Sequence, residues 1–271
     1  MTTELDFDAV VIGAGLTGLY QAYRLREMGY RVLGVEAAED IGGVWHHNRY
    51  PGCRIDSESE VYGYFWNEQL MQEWSWSERF AAQPEVLRYI HRAAEIMDIR
   101  KDFIFNAKVH KATFDDVSNA WLLEFQQGHR APVTARFVFS ALGPLSATQM
   151  PRISGINTFK GESYHTAAWP RDPIGFGPAK LDFSNKRVAV IGTGSTGVQL
   201  IQEMAKVAKH LTVFLLEPNW CTPLGNGPMT QERMDYIKSH YNEFTAKCDA
   251  SIAGFPHEFD PRNLFDVPKE E

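Results

Sequence analysis

The chain opens with an apolar run, a glycine-rich turn and an amphipathic stretch. Phe7–Ile12 predicts a buried strand, and Gly13–Gly18 predicts a tight turn. Leu19–Met28 then predicts a helix that stops at Gly29, and Arg31–Val35 predicts a second strand. These segments together predict one β-α-β unit of the length that a dinucleotide-binding fold requires.

The same order of segments recurs later in the chain. Arg187–Ile191 predicts a strand, Gly192 begins a turn, and a helix is predicted to about Ala208. The strand Leu211–Leu216 completes this second unit. The repetition indicates a duplicated module and not a solenoid.

Between the two units, apolar and polar positions alternate in three short stretches: Lys108–Phe114, Trp121–Phe125 and Val133–Leu142. They predict a small β-meander followed by a strand that returns to the main sheet. The whole pattern predicts an α/β chain in three layers, with two Rossmann-like dinucleotide-binding domains and a small β-meander.

Prolines place the domain boundary. Pro144, Pro151 and the Pro- and Gly-rich segment 170–178 indicate a linker, so we expect a first domain at 1–147 and a second at 148–271.

After Pro223 the chain is polar and predicts helix, with Thr230 as an N-cap and Glu232 in the first turn. At the end, Asp266 and Pro268 resemble the start of another helix. We therefore expect the second domain to be incomplete and the chain to be a fragment of something longer, or one part of a split enzyme.

Each glycine of the first turn has a physical role. Gly13 permits the tight turn, Gly15 lets the backbone approach a pyrophosphate, and Gly18 lets the helix pack on the strand. The helix N-terminus then attracts the phosphates. Glu36, at the tip of the second strand, is placed to accept hydrogen bonds from a ribose.

The second turn has the same spacing at Gly192, Gly194 and Gly197. Two such turns predict two dinucleotides. Because hydride transfer requires a donor and an acceptor ring in contact, we expect a flavin in domain 1–147 and a nicotinamide that reduces it in domain 148–271.

Composition excludes several classes of function. The net charge of −7, without any basic run, argues against a nucleic-acid partner. Cys53, Cys221 and Cys248 are far apart, so neither a zinc site nor a disulfide framework is expected and a cytoplasmic location fits best. The first apolar run is used by a strand, and no apolar stretch is long enough to cross a bilayer, so no signal peptide and no membrane partner is expected.

Two further stretches carry a family resemblance. Residues 42–56 contain Gly43, Trp45, Tyr50-Pro51-Gly52 and Asp56 at the spacing of the long fingerprint of the Baeyer–Villiger monooxygenases. The second stretch, Phe159-x-Gly161-x-x-x-His165-x-x-x-Trp169-Pro170, is similar to their shorter fingerprint. The chain therefore resembles the N-terminal half of this family of flavoprotein monooxygenases.

The resemblance implies an FAD- and NADPH-dependent enzyme. Reduced flavin would trap O2 as a C4a-peroxide, which attacks a ketone to give an ester or lactone. The catalytic residue carried over is Asp56, which in the family lies beside the flavin and partners an active-site arginine. His165 and Trp169 would act on the linker between domains and on cofactor placement.

The expected cofactor-binding residues combine the two loops with the fingerprint. For the flavin they are Gly13, Gly15, Leu16, Thr17, Gly18, Glu36, Gly43, Val44, Trp45, Arg54, Asp56, Tyr62, Val109 and Gly143. For the nicotinamide they are Gly192, Thr193, Gly194, Ser195, Thr196, Gly197 and Glu217.

Several of these residues also have a purely structural interpretation. Asp56 could be a solvated loop carboxylate and Trp45 a core residue. Arg49 and Arg54 could approach the flavin or pair at the surface. His46 and His47 are expected in a loop without a metal, because adjacent residues do not share one face of an element.

The chain departs from the family in two places. Where the family has an arginine that binds the 2′-phosphate of NADPH, this chain has Leu216 followed by Glu217. A carboxylate there favours a free ribose hydroxyl, so NADH use is a hypothesis. The active-site arginine of the family also lies beyond this chain.

Three functional alternatives therefore stay open at this point. The first is a Baeyer–Villiger enzyme completed by a second chain or segment, acting on a small ketone with O2. The second is an N- or S-oxygenating flavin monooxygenase. The third is a non-catalytic FAD- or nicotinamide-binding module.

Overall fold

The computed structural model describes residues 4–126, 130–257 and 261–267. Its main sheet has six strands in the order β3-β2-β1-β6-β5-β4. The strands are β1 (Phe7–Ile12), β2 (Val32–Val35), β3 (Phe103–Ile104), β4 (Val109–Asp115), β5 (Ala120–Phe125) and β6 (Val133–Ser140). The predicted strand that returns to the main sheet is confirmed, because β6 pairs with β1 in parallel and with β5 antiparallel.

The central strand β1 is covered on both faces. Ala9, Val10 and Val11 point alternately to opposite faces and all three are fully buried. One face packs into a core with Leu33, Leu123 and other apolar residues of the sheet. Full burial of consecutive strand residues is typical of a sheet that lies between two layers.

Seven α-helices and a second sheet complete the described part of the fold. The helices are α1 (Leu16–Glu27), α2 (Val44–His47), α3 (Glu68–Glu73), α4 (Gln83–Ile96), α5 (Ser195–Val207), α6 (Gln231–Ser239) and α7 (Tyr241–Ala250). The second sheet is the parallel pair β7 (Arg187–Ile191) and β8 (His210–Phe214). The α/β class with two Rossmann-like units is confirmed. Among the described residues, no helix combines the length and the apolar character that crossing a membrane requires.

Two predicted strands were too long, for one reason. β8 was expected to reach Leu216 and β6 to reach Leu142, but each ends two residues earlier. Phe214 is paired with Ile191, and Ser140 with Ile12. Each partner strand then turns away into its glycine loop, so the following residues have no strand to pair with.

The predicted N-cap at Thr230 is confirmed: its side chain accepts a hydrogen bond from the backbone N–H of Arg233 at the start of α6. The predicted helix start near the end of the chain falls partly on residues 268–271, which lie outside the described residues. Before them, Leu264–Asp266 forms a single 3-10 turn.

The chain divides into two compact units. The first comprises residues 1–54 and 82–222, and the second comprises residues 55–81 and 223–271. Both glycine loops lie in the first unit. The boundary near residue 147, which separates the two loops, stays a prediction.

Candidate cofactor-binding site

The first glycine loop is closed tightly by its neighbours. Gly13 has φ of +107°, and a Cβ there would lie 2.5 Å from the carbonyl oxygen of Ala141. A Cβ on Gly18 would lie 1.8 Å from the carbonyl oxygen of Gly13. A side chain fits at neither position, which is the physical reason for glycine at both.

Helix α1 begins directly on this loop. Gly15 is its N-cap and has no side chain, and Leu16 and Thr17 form its first turn. The first backbone N–H groups of a helix have no partner within the helix, and its dipole favours negative charge there. The loop therefore offers a site for a phosphate group.

The Glu36 carboxylate stabilises the first glycine loop by accepting backbone hydrogen bonds. Its Oε2 accepts a hydrogen bond from the backbone N–H of Ala14 at 2.6 Å, and its Oε1 accepts one from that of Ala38 at 2.7 Å. The side chain is buried, with 7% of the residue exposed. Glu36 therefore shapes the phosphate loop directly, and its contact with a ribose stays a prediction.

The long fingerprint touches the first loop through its glycine pair. The N–H of Gly42 donates to the carbonyl oxygen of Ala14 at 2.9 Å. Gly43 has φ of +55°, and a Cβ there would lie 2.8 Å from the Cα of Gly15. The two backbones thus approach as closely as glycine allows.

Helix α2 begins directly after Gly43, and it includes two histidines that the sequence predicts in a loop. His46 and His47 were expected in a loop, but their backbone N–H groups donate to the carbonyl oxygen of Gly43 and make a short helical turn. Val44 begins the helix and Trp45 is buried. The Trp45 carbonyl oxygen accepts a hydrogen bond at 2.5 Å from the buried side chain of Gln83.

The end of the long fingerprint contacts helix α5, which belongs to the second β-α-β unit. The Tyr50 hydroxyl donates to Oε1 of Gln199 at 2.7 Å, and the Gln199 amide donates to the carbonyl oxygen of Arg54 at 3.1 Å. A Cβ on Gly52 would lie 2.7 Å from the Gln199 carbonyl oxygen. The fingerprint therefore connects the first glycine loop to the helix that follows the second one.

The second glycine loop has the same backbone turn in open surroundings. Gly192 has φ of +103°, and its N–H donates to the carbonyl oxygen of Phe214 at 2.8 Å. Gly194 is the N-cap of α5, and Ser195 and Thr196 form the first turn. A Cβ on Gly197 would lie 2.2 Å from the carbonyl oxygen of Gly192, so this position also requires glycine.

The segment after β8 returns to this loop. The Asn219 side chain donates a hydrogen bond to the carbonyl oxygen of Thr193. Leu216 is 99% exposed, and Glu217 is also exposed. The residues expected to discriminate between nicotinamides are therefore accessible to a ligand.

The remaining flavin candidates are spread over the molecule. Val109 begins β4, and Gly143 follows β6 with φ of +70°. Asp56 and Tyr62 belong to the other compact unit, where Asp56 is exposed and Tyr62 is partly buried. The roles of these four residues stay predictions.

The short fingerprint forms a local structure of its own. Phe159 is exposed, and a Cβ on Gly161 would lie 2.5 Å from its ring. Nδ1 of His165 accepts a hydrogen bond from the N–H of Ala167 at 3.1 Å. Trp169 is buried and lies 6.1 Å from Phe183, centroid to centroid.

The sequence did not reveal a cluster of polar side chains beside α2, in which His46 and Arg49 are buried and Glu39 is exposed. Nη1 of Arg171 lies 2.5 Å from Oε1 of Glu39 and 3.1 Å from Nε2 of His46, and its Nη2 lies 3.4 Å from Nδ1 of His47. Arg49, expected either at the flavin or at the surface, is buried and donates to the carbonyl oxygen of His46 at 2.9 Å.

Burial controls the protonation of the histidines in this cluster. Desolvation, followed by the charge of Arg171, lowers the pKa of His46 to about 4. Desolvation likewise lowers the pKa of His47. His46 is therefore neutral near pH 7.

Comparisons with known proteins agree with this geometry. A family model described as an NAD(P)-binding Rossmann-like domain matches residues 11–71, which include the first glycine loop and the long fingerprint. The 2-oxo-Delta(3)-4,5,5-trimethylcyclopentenylacetyl-CoA monooxygenase of Pseudomonas putida is 52% identical over 264 residues. That match covers 97% of this chain and 48% of the relative.

Two further matches cover nearly all of this chain and about half of the matched protein. A Baeyer-Villiger monooxygenase of Pseudooceanicola batsensis is 41% identical, over 95% of this chain and 46% of its own length. The crystal structure of OTEMO in complex with FAD and NADP superposes with a TM-score of 0.91 at 49% identity, over 99% of this chain and 50% of that one. The chain thus spans about half the length of the relatives that it matches.

Proposed function

The chain belongs to the Baeyer–Villiger monooxygenase family, and we propose that it forms the cofactor-binding part of an enzyme that oxidises a ketone to an ester or lactone. One atom of O2 would enter the product. The observation that carries the proposal is the fingerprint 42–56, which touches the first glycine loop at Gly15 and helix α5 at Gln199. One segment thus links the candidate sites for the two cofactors that the reaction requires.

In this proposal the first loop binds FAD. The N-terminus of α1 holds the pyrophosphate, Gly13 permits the tight turn, Gly15 lets the backbone approach the ligand, and Glu36 keeps the loop in shape. The second loop holds the nicotinamide dinucleotide at the N-terminus of α5. When bound, FAD would take a hydride from the nicotinamide and react with O2.

Asp56 is the proposed catalytic residue. Its carboxylate is exposed, so it is accessible to the arginine with which the family pairs it. An Asp56→Asn variant would keep the size of the side chain and remove its charge. It should retain both cofactors and lose product formation.

Nicotinamide choice follows from the exposed pair after β8. Leu216 offers no charge to a 2′-phosphate, and Glu217 would repel one. OTEMO binds NADP, so NADPH is the first cofactor to test, and we propose that NADH also serves. A strong preference for NADPH in flavin reduction would exclude this part of the proposal.

For the substrate we propose a cyclic ketone. The relative at 52% identity is named for a cyclopentenyl compound joined to coenzyme A. A panel of substrates should therefore include cyclopentanones with and without a coenzyme A thioester.

We further propose that additional polypeptide, in the same chain or in a second one, covers the second sheet. Apolar side chains are exposed there: Ile191 by 60%, Phe214 by 56% and Trp220 completely. Exposed apolar surface of this kind is typical of an interface. The matched relatives, about twice as long, contain enough chain for this.

We propose a cytoplasmic location, which the state of the cysteines supports. Cys53 and Cys248 are buried free thiols, and burial raises the pKa of Cys53 to about 11. Such thiols are inert and compatible with a reducing compartment.

The test is a product assay on the complete, FAD-loaded enzyme of which this chain is the proposed cofactor-binding part. Flavin reduction by NADPH is followed without oxygen, and then O2 is admitted with a ketone, a sulfide or an aromatic amine. Ester or lactone formation supports the proposal. An N-oxide or sulfoxide without any ester would favour the other oxygenating class, and peroxide release alone would favour a cofactor-binding module.

A further inference from the structure

The segment that leads from the short fingerprint to the second sheet is folded into a closed hairpin. Arg171 and Pro178 form an antiparallel bridge. The N–H of Asp172 donates to the carbonyl oxygen of Gly177 at 3.1 Å, and the N–H of Ala179 donates to that of Pro170 at 2.8 Å. We call residues 170–179 the linker hairpin. Its internal hydrogen bonds make it a rigid element and not a loose tether.

The hairpin is attached at two points besides Arg171, one at Arg49 directly after α2 and one at His91 in α4. Nη1 of the buried Arg49 donates to the carbonyl oxygen of Gly175 at 3.2 Å. The ring of Phe176 stacks on His91 with a centroid distance of 5.2 Å and an interplanar angle of 29°. Both attachments hold the tip of the hairpin.

Arg171 lies at the base of the hairpin and contacts residues near both ends of segment 36–47. Glu39 lies three residues after Glu36, whose carboxylate holds the loop N–H of Ala14. His46 and His47 lie in α2, which begins where Gly43 touches Gly15. The guanidinium therefore joins the two ends of the segment that forms one wall of the first glycine loop.

We propose that Arg171 is a positioning residue, which holds segment 36–47 against the first glycine loop and so fixes the geometry of the flavin site. The proposal rests on the proposed function to the extent that the loop takes FAD. It assigns a role to a linker arginine that neither fingerprint includes.

The ion pair alone does not explain this arrangement. Glu39 is 58% exposed, and an exposed pair contributes little. The histidine side of the cluster differs, because His46 is 3% exposed and carries no charge near pH 7. A guanidinium packed against two neutral imidazoles is held by shape and hydrogen-bond geometry, which suits positioning better than simple attraction.

The experiment compares three variants of the whole chain. Arg171→Met keeps the aliphatic stem and removes every donor, and Arg171→Lys restores the charge without the planar fork. Arg152→Met is the matched control, because Arg152 is an exposed arginine of the same linker. FAD affinity is measured by fluorescence titration, the environment of bound flavin by visible circular dichroism, and the mobility of segment 36–47 by amide hydrogen exchange.

We expect Arg171→Met to weaken FAD binding about tenfold, to alter the dichroism of bound flavin and to speed exchange in segment 36–47. Arg171→Lys should recover part of each change, and Arg152→Met should match the unmodified chain. Wild-type affinity, dichroism and exchange in Arg171→Met would overturn the proposal.

Two further outcomes are also decisive. If the unmodified chain binds no FAD, the proposed function fails, and exchange in segment 36–47 alone decides the role of Arg171. If Arg171→Met does not fold, Arg171→Lys takes its place, because lysine lacks the planar fork that contacts both histidines. Unchanged exchange and unchanged FAD affinity in that variant would then overturn the proposal.

Discussion

The two glycine loops have the same local structure in different surroundings. Gly13 and Gly192 have nearly the same φ, +107° and +103°, and both loops lead into a helix capped by glycine. A Cβ on Gly13 would lie 2.5 Å from a backbone oxygen, whereas beyond the two neighbouring residues no described atom lies within 4 Å of a Cβ on Gly192.

The strands that enter the loops differ in the same way. β1 has three consecutive fully buried residues, 9–11, whereas in β7 only Val190 is buried. The spacing of glycines therefore encodes the turn, and the packing around it determines how rigid the loop is. The first loop belongs to a completed core, and the second belongs to a sheet of two strands with exposed apolar residues.

The largest effect is expected from alanine at the first glycine of each loop. Gly13→Ala adds backbone strain and a clash with the Ala141 carbonyl, and should cost about 3 kcal/mol or more. Gly192→Ala adds strain alone and should cost about 1 kcal/mol. Urea unfolding measures both, and equal losses would remove the distinction between the loops.

The next largest effect on stability is expected at the carboxylates that come after strands β2 and β8. Glu36→Gln replaces one of two oxygens that accept backbone N–H groups, and should destabilise the chain by about 2 kcal/mol. Glu217 is exposed, and its change to Gln should cost less than about 0.5 kcal/mol. Thermal unfolding of the two variants side by side is the measurement. A neutral Glu36→Gln would contradict the role given to that side chain.

The pH dependence of the free energy of unfolding should distinguish the region of the first loop, which contains His46, from the second sheet. The pKa of His46 is about 4 in the folded chain, below the ordinary 6.5, so the unfolded chain takes up the proton first as the pH falls. Stability is full above pH 6.5 and should fall by about 2 kcal/mol between pH 7 and 5.

The control for this prediction is the exposed His210 in β8. His46→Gln should flatten the pH dependence of unfolding, and His210→Gln should leave it unchanged. A slope that His46→Gln does not reduce would show that His46 is not the group that titrates. His47 and His91, whose pKa values are also lowered, keep some slope in every variant.

The smallest effect is expected at the open second site. Leu216→Arg supplies the charge that a 2′-phosphate requires, and should favour NADPH over NADH by about tenfold, or about 1.4 kcal/mol. Leu215→Arg is the matched control, since Leu215 is the exposed neighbour. Titration of both nicotinamides measures the ratio. The same shift in both variants would indicate a general effect of positive charge and not recognition at residue 216.

Local sequence patterns predicted the parts of this molecule that depend on near neighbours. The glycine positions, Glu36 and the strands β1 and β7 follow from spacing and periodicity. The family fingerprint added Gly43 and Trp45. All of these lie within one β-α-β unit or one continuous motif.

The contacts that the sequence did not reveal join residues far apart in the chain. Gln199 lies 149 positions after Tyr50, and Arg171 lies 125 positions after His46. No periodicity relates such residues, because their contact depends on how whole elements pack. His46 was expected in a loop for a similar reason: the helical turn depends on the φ of Gly43 and its contact with Gly15.

The flavin site is proposed at the first glycine loop and not at the second. Equilibrium titration of FAD into the chain and its two alanine variants distinguishes the two loops. We expect one FAD bound per chain, lost in Gly13→Ala and retained in Gly192→Ala. Absence of binding in the unmodified chain, or an equal response of the two variants, would contradict it.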